Sequence, residues 1–238
     1  MSDWWQQMFE LAPWQEVQLG WDALEDPDQQ TEQIVRATAL EQGMRVLDIA
    51  CGTGRIAKRL AARGFDVVGV DITERFLEAA RADGVVVRHA DMRELPFDEE
   101  FDVALCMWGS FGYFNEDGNL AQARAACRSL RAGGRYLIDT VAAESLLANF
   151  RERDWFTSGD LTVLERRSYS VGTARVETEW TFVGRGERHT QDTSVRVYSV
   201  RELTDLLGDA GFTAFTTLDD ELEPYGLGSR RLWMVATK

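Results

Sequence analysis

The stretch Val46-Leu47-Asp48-Ile49-Ala50-Cys51-Gly52-Thr53-Gly54-Arg55-Ile56-Ala57 constrains this chain more than any other. Its apolar start reads as a buried strand, its glycines as a tight turn, and its end as a helix. Glycine lets a turn take left-handed geometry and lets backbone approach a ligand closely. The helix N-terminus that follows offers unpaired N–H groups and a partial positive charge. Asp71 closes a second apolar run, Asp66-Val67-Val68-Gly69-Val70-Asp71, nineteen residues beyond Gly52. An acid at such a strand end can accept hydrogen bonds from both hydroxyls of a ribose. Strand, turn, helix and strand together read as a unit that binds a nucleoside.

A G-x-G-x-x-A turn with a distant acid also fits dinucleotide sites, so an NAD-dependent dehydrogenase is a competing reading. Three features favour S-adenosylmethionine instead. Asp48, four residues before Gly52, can anchor a cationic ligand where a pyrophosphate would be repelled. His89-Ala90-Asp91-Met92-Arg93-Glu94-Leu95-Pro96-Phe97 forms a second acidic loop after the short strand Val85-Val86-Val87, suited to an adenine amino group. Phe101-Asp102-Val103-Ala104-Leu105-Cys106-Met107-Trp108 then reads as a fourth strand, leading into Gly109-Ser110-Phe111-Gly112-Tyr113-Phe114.

On these motifs the chain resembles the class I S-adenosylmethionine-dependent methyltransferases. The family's glycine-rich motif matches residues 48–54, its ribose acid Asp71, its adenine loop Asp91-Met92, and its fourth-strand motif residues 101–108. The turn Leu130-Arg131-Ala132-Gly133-Gly134 before Tyr136-Leu137-Ile138-Asp139 matches as well, and residues 211–238 look like the family's terminal antiparallel hairpin. One departure is Ala50, where many members carry glycine. Trp108-Gly109-Ser110-Phe111-Gly112-Tyr113-Phe114, Arg153-Asp154-Trp155-Phe156 and Arg196-Val197-Tyr198-Ser199 look like a bacterial small-molecule branch that includes amino-sugar N-methyltransferases.

The resemblance implies an α/β fold. It has a doubly wound, Rossmann-like, seven-stranded methyltransferase sheet with an antiparallel last strand, plus a small antiparallel β insertion. It also implies cofactor-binding residues. Asp48 and the backbone of Ala50, Gly52 and Gly54 lie beside the methionine part. Asp71 takes the ribose, Ile72 packs on adenine, Asp91 accepts the adenine amino group, and the Met92 backbone sits at the ring edge. Met107 and Trp108 close the methionine side.

Composition narrows the rest. The chain has 238 residues, 45% of them hydrophobic, enough for one large domain or one domain with an insertion. Its formal net charge of −14 weighs against nucleic acid as a partner, which needs a positive footprint. Arg166-Arg167 and Arg230-Arg231 read as solvated patches. Cys51, Cys106 and Cys127 form no disulfide framework and no metal spacing, and His89 and His189 are far apart in sequence, so no metal site is expected. No basic-plus-apolar leader precedes the fold and no apolar run approaches ~20 residues, so a cytoplasmic chain without membrane contact is expected.

Domain boundaries follow from changes in pattern. Residues 1–42 read as N-terminal helices carrying Trp4, Trp5, Trp14 and Trp21, with a helix over 29–40, and the resemblance implies that they form a helical lid over the cofactor. The tryptophans suit either core packing or a ligand-facing wall. Residues 43–145 and 199–238 read as the α/β core, with helices at 55–63, 73–82, 120–130, 141–150 and 200–210. Residues 146–198 read as an inserted antiparallel subdomain on the substrate side. Its strands are expected at 161–169, 175–183 and 190–198, with Gly184-Arg185-Gly186 as a turn.

Methyl transfer from a sulfonium needs alignment above all, so the expected reaction is in-line displacement to N or O of a small-molecule acceptor, releasing S-adenosylhomocysteine. Tyr113 and Asp139 are the candidate catalytic residues. Trp108, Ser110, Tyr113, Trp155, Arg196, Tyr198 and Arg230 are the candidate substrate-binding residues. His189 reads as a turn histidine. Alternatives are a catalytically silent S-adenosylmethionine-binding regulator and a tRNA or protein methyltransferase. A monomer and a homodimer are both compatible with the sequence.

Overall fold

The computed structural model describes residues 4–20 and 27–238. Trp21 lies outside the described residues. The chain opens with helices α1 (Trp4–Glu10), α2 (Ala12–Gly20) and α3 (Pro27–Ala37). Strands and helices then alternate through β1 (Arg45–Ile49), α4 (Arg55–Ala62), β2 (Asp66–Asp71), α5 (Glu74–Ala82), β3 (Val86–His89) and β4 (Phe101–Cys106). Next come α6 (Glu116–Ser129), β5 (Leu130–Thr140) and α7 (Ala143–Ala148). Four antiparallel strands follow: β6 (Arg153–Ser158), β7 (Leu161–Ser170), β8 (Arg175–Gly184) and β9 (Glu187–Arg196). The chain ends with α8 (Val200–Ala210), β10 (Ala214–Leu218) and β11 (Leu232–Thr237).

Two compact units result. One joins Pro27–Ala148 with Tyr198–Lys238, the other Met1–Asp26 with Asn149–Val197. The N-terminal segment is therefore shared between them, dividing at residue 27. Among the described residues no helix is long and apolar enough to cross a membrane.

The larger unit holds a seven-stranded sheet in the order β10-β11-β5-β4-β1-β2-β3. Strands β1 to β5 run parallel, while β11 is antiparallel to both β5 and β10. This is the expected methyltransferase arrangement. Its strands alternate side chains between two cores, as a period of two requires. Leu47, Ile49, Ala104, Cys106 and Ile138 face the core that holds Leu203 and Leu207 of α8. Val46, Val103, Leu105 and Leu137 face the core that holds Ile34, Ile56 and Leu60. Each such buried aliphatic side chain contributes about 1.5–3 kcal/mol.

The smaller unit has its own core. Val163, Phe182 and Leu161 of the sheet pack with Met8, Trp14 and Val17. Trp14 meets Trp180 edge-on at 5.2 Å and Phe182 at 6.2 Å, so this tryptophan serves packing. Arg185 and Gly186 both take positive φ, the two-residue hairpin geometry that the twist of flanking strands favours.

Several elements differ from expectation: the helix expected at 29–40 spans Pro27–Ala37, and the one expected at 141–150 spans Ala143–Ala148. The helix expected from residue 120 starts at Glu116, because the Asn115 side chain accepts the Gly118 N–H and caps it. The strand expected at 190–198 runs from Glu187 to Arg196. β6 adds a fourth strand at Arg153–Ser158, where short length and flanking charge hide the alternation.

Candidate cofactor site

The glycine-rich segment forms a left-handed turn between β1 and α4. Ala50, Gly52 and Gly54 have φ of 57°, 54° and 76°. Ala50 thus holds a conformation that glycine takes more readily, at a cost of about 1 kcal/mol or more. At Gly54 a Cβ would come within 3.1 Å of Ala80 Cβ and 3.2 Å of Val85 Cγ2, so helix α4 starts tight against its neighbour. A Cβ on Gly52 would meet nothing within 4 Å, so that side of the turn is open.

Two acids flank the turn. Asp71, at the end of β2, accepts the Gly52 N–H at 2.9 Å and the Thr73 N–H at 2.8 Å. Burial pushes its carboxyl above the usual range, against those bonds. Asp48 in β1 is 3% exposed and accepts from the backbone N–H of Ala57 in the first turn of α4. Burial first, and the nearby Asp71 second, push its carboxyl up to about 7. Cys51 between them is a buried thiol held well above its ordinary pKa by burial and by both acids. It is therefore protonated and not nucleophilic.

At the end of β3, His89 Nε2 lies 2.8 Å from the Ile72 carbonyl. Asp91 follows. Burial raises its carboxyl, but the Arg93 side chain and backbone N–H outweigh that and hold it below the usual range. Arg93 Nη2 donates to Asp91 Oδ2 at 2.6 Å and Nε to Oδ1 at 3.0 Å.

Beyond β4, Trp108 takes φ 61°, unusual for a bulky residue. Asp139 holds it there. The Asp139 carboxylate accepts the Trp108 N–H at 3.0 Å, and its carbonyl accepts the Gly109 N–H at 2.9 Å. Arg231 donates to the same carboxylate at 2.5 Å. The Arg55 guanidinium stands 4.3 Å from the Trp108 ring centroid. Further along, the Tyr113 hydroxyl pairs with Ser110, and burial raises its pKa well above the ordinary value, with Cys106 and Asp71 adding to the rise. Tyr113 is thus a neutral phenol at physiological pH.

Hydrogen bonds and close charges join Asp48, Asp71, the Gly52 N–H, Ser110 and Tyr113, with Ala50 and Gly54 in the same turn and Met107 and Trp108 directly after β4. Other expected residues lie elsewhere. Asp139 is 1% exposed, and its carboxylate is committed to Arg231 and to the Trp108 N–H rather than to a ligand. Tyr198 is also buried, its hydroxyl donating to Glu116 at 2.8 Å and accepting from Asn119 at 2.9 Å, so it does not present that hydroxyl to a ligand. Arg230 is exposed and paired with Asp220, while its neighbour Arg231 reaches Asp139. Trp155, 65% exposed, and Arg196, which donates to the Val197 carbonyl, belong to the smaller unit. Arg55, Arg93, Asn119 and Arg231 make contacts that sequence reasoning misses. Arg55 carries the one available signal, since it opens the helix after the glycine turn.

Replacing Asp139 by Asn keeps its shape but removes the charge that faces Arg231. Losing one partner of a buried ion pair costs about 3–5 kcal/mol, so Asp139→Asn is expected to lower the urea midpoint markedly. A double variant Asp139→Asn with Arg231→Met should recover part of that loss, and urea melts of the three proteins check it.

The donor set fits one kind of ligand. The buried Asp48 opposes a pyrophosphate, and with the half-buried Asp71 it suits a nucleoside that bears a cationic group and a ribose diol. Sheet order, glycine turn and strand-end acids together define a Rossmann-like nucleoside-binding domain. Comparison with known proteins names the class. A methyltransferase domain family matches residues 46–134. The glycine/sarcosine N-methyltransferase of Aphanothece halophytica is 30% identical over 192 residues, covering 76% of this chain and 71% of that protein. Among solved structures, an S-adenosylmethionine-dependent methyltransferase from Clostridium acetobutylicum ATCC 824 has a TM-score of 0.78 at 17% identity, covering 91% of this chain and 95% of its own. The sugar N-methyltransferase KedS8 from Streptoalloteichus sp. ATCC 53650 has a TM-score of 0.72 at 21% identity, covering 91% of this chain and 90% of its own. The chain belongs to the class I S-adenosylmethionine-dependent methyltransferases. It is an enzyme with S-adenosylmethionine as cofactor, and the dehydrogenase reading falls.

Proposed function

We propose that the chain methylates the nitrogen of a small amine by in-line displacement, releasing S-adenosylhomocysteine. The observation that carries this reading is the chemistry of the Ser110–Tyr113 pair. Its phenol is neutral and hydrogen-bonded, and the nearby Asp139 is consumed by Arg231. An alcohol or phenol acceptor requires a base; an amine that is neutral when it arrives requires only positioning. The formal net charge of −14 weighs against nucleic acid as the acceptor. Two of the similar proteins are an N-methyltransferase of glycine and sarcosine and one of sugars, which supports the same acceptor class.

Roles follow for the cofactor residues. The turn at Ala50, Gly52 and Gly54 gives the methionine part close backbone approach, and Asp48 holds its ammonium. Asp71 holds the ribose hydroxyls, Ile72 and Met92 border the adenine, and Asp91 accepts from its amino group. Met107 and Trp108 wall the methionine side, with Asp139 as the positioning residue that fixes Trp108. The bound cofactor supplies an activated methyl group. The protein aligns the acceptor and excludes water, an effect that can provide about 7–11 kcal/mol of the barrier. Ser110 and Tyr113 orient the acceptor nitrogen.

A panel of glycine, sarcosine, amino sugars, phenols and carboxylates, followed by release of S-adenosylhomocysteine, tests this. Turnover is expected with amines alone; turnover with phenols or carboxylates alone rejects it. On the accepted amine, Tyr113→Phe should lower kcat by about tenfold, the cost of one orienting hydrogen bond. Its affinity for S-adenosylhomocysteine should be unchanged.

A further inference from the structure

One side chain joins the adenine end of the site to the loop after β4. Arg93 grips both carboxylate oxygens of Asp91, and its guanidinium carbon stands 4.3 Å from the centroid of the Phe114 ring. Phe114 is buried and its backbone is gripped in turn. Asn119 Oδ1 accepts the Phe114 N–H at 3.1 Å, and Asn119 Nδ2 donates to the Phe114 carbonyl at 3.1 Å. The same Nδ2 donates to the Tyr198 hydroxyl at 2.9 Å, and that hydroxyl donates to Glu116 at 2.8 Å. Asn119 is fully buried. Position 118 is built for this packing, because a Cβ there would lie 2.5 Å from Phe114 Cβ. Phe114 therefore cannot shift without breaking the Asn119 bonds or leaving Arg93.

We propose that Arg93 is a positioning residue that couples the adenine subsite to residues 111–115. Cofactor held at Asp91 then also fixes the loop that carries Tyr113. The inference rests on the assignment of adenine to Asp91 made above. The physical link is the fork. An Arg–carboxylate pair has a narrow preferred geometry. A ligand that immobilises Asp91 immobilises the guanidinium, and with it the surface against which Phe114 packs. Coupling of this kind is reciprocal, so an ordered loop also tightens cofactor binding. Cofactor loading thereby sets the acceptor side before the acceptor arrives.

Amide hydrogen exchange on the full chain tests the link, with S-adenosylhomocysteine as probe and calorimetry to establish saturation. In the wild type, bound S-adenosylhomocysteine should slow exchange across residues 111–115 by about fivefold or more, the lower end of typical coupling. Two variants cut the link at different points. Arg93→Lys keeps the charge but loses the fork. Phe114→Leu keeps an apolar side chain but loses the ring. In both, saturating ligand should slow the loop by less than about twofold, within the scatter of uncoupled sites. Bound ligand that leaves wild-type loop exchange unchanged overturns the proposal, as does protection that survives in either variant. Unchanged exchange in the wild type overturns the proposal even where a variant folds poorly, and either variant that folds separates the Arg93 link from direct contact with the ligand. Absence of calorimetric binding is a different result, because it removes the cofactor assignment and the coupling with it.

Discussion

Asp71→Ala is expected to weaken S-adenosylhomocysteine binding by about 100-fold or more, equivalent to about 2.7 kcal/mol. The carboxylate ends β2 beside the glycine turn and accepts the Gly52 and Thr73 N–H groups. Each charge-assisted bond to a ribose hydroxyl contributes about 1.5–3 kcal/mol, so two such bonds are more than enough for the expected loss. Alanine also leaves the Gly52 N–H without its present acceptor, and part of the effect comes from the loosened turn. Asp71→Asn separates the two contributions. It retains the side chain's volume and one acceptor oxygen but turns an amide NH2 toward one of the two N–H donors, so its melting temperature should fall, though by less than that of Asp71→Ala. Its affinity should still fall by at least about tenfold, because one acceptor and the charge are gone. Isothermal titration of the three proteins measures the affinities, and thermal melts the stabilities. Wild-type affinity in Asp71→Ala would show that the ribose is held elsewhere.

What can be read from the sequence is local and periodic. Val46 to Asp71 announces strand, turn, helix and strand because each element is specified by neighbours in the chain, and Val200 to Ala210 forms its helix where Ser199 and Glu202 supply a capping box. Pair choices across the fold carry no such signal. Nothing in residues 229–232 marks Arg231 rather than Arg230 as the partner of Asp139. The choice depends on how β11 aligns with β5, where Leu232 pairs with Thr140. Asn119 and Tyr198 are 79 residues apart and meet through the packing of α6 against the chain that leads into α8. Asn115-Glu116-Asp117-Gly118 resembles a turn by composition. It is a helix start because the Asn115 side chain supplies the cap. The choice of Asp139 as a catalytic candidate rests on its strand-end position alone. Such a position does not show whether a carboxylate is free or already satisfied.

Asp48 should make both stability and cofactor affinity depend on pH, in opposite directions. Its carboxyl titrates at about 7 in the folded chain, against about 3.9 when unfolded. Between those values the folded state holds a proton that the unfolded state has lost. Stability of the ligand-free protein should therefore fall as pH rises from about 4 to about 7 and then level off. Asp48→Asn carries no such charge. At pH 8 it should be more stable than wild type by about 2–4 kcal/mol in urea melts, because each pH unit between the two titration midpoints is worth about 1.36 kcal/mol. Binding runs the other way. The ammonium of S-adenosylhomocysteine favours ionised Asp48, and with a midpoint near 7 the ionised fraction rises about tenfold between pH 6 and pH 8. Wild-type affinity should rise by the same factor, while Asp48→Asn binds weakly and evenly across the range. The Ala57 N–H favours the ionised form and Asp71 opposes it, so Asp71→Ala should move the midpoint of this profile downward. An affinity that is flat from pH 6 to pH 8 in the wild type would mean that Asp48 keeps one protonation state throughout and does not hold the ammonium by charge. A more stable but weakly binding Asn variant would identify the buried acid as a group kept for its ligand at the expense of the fold.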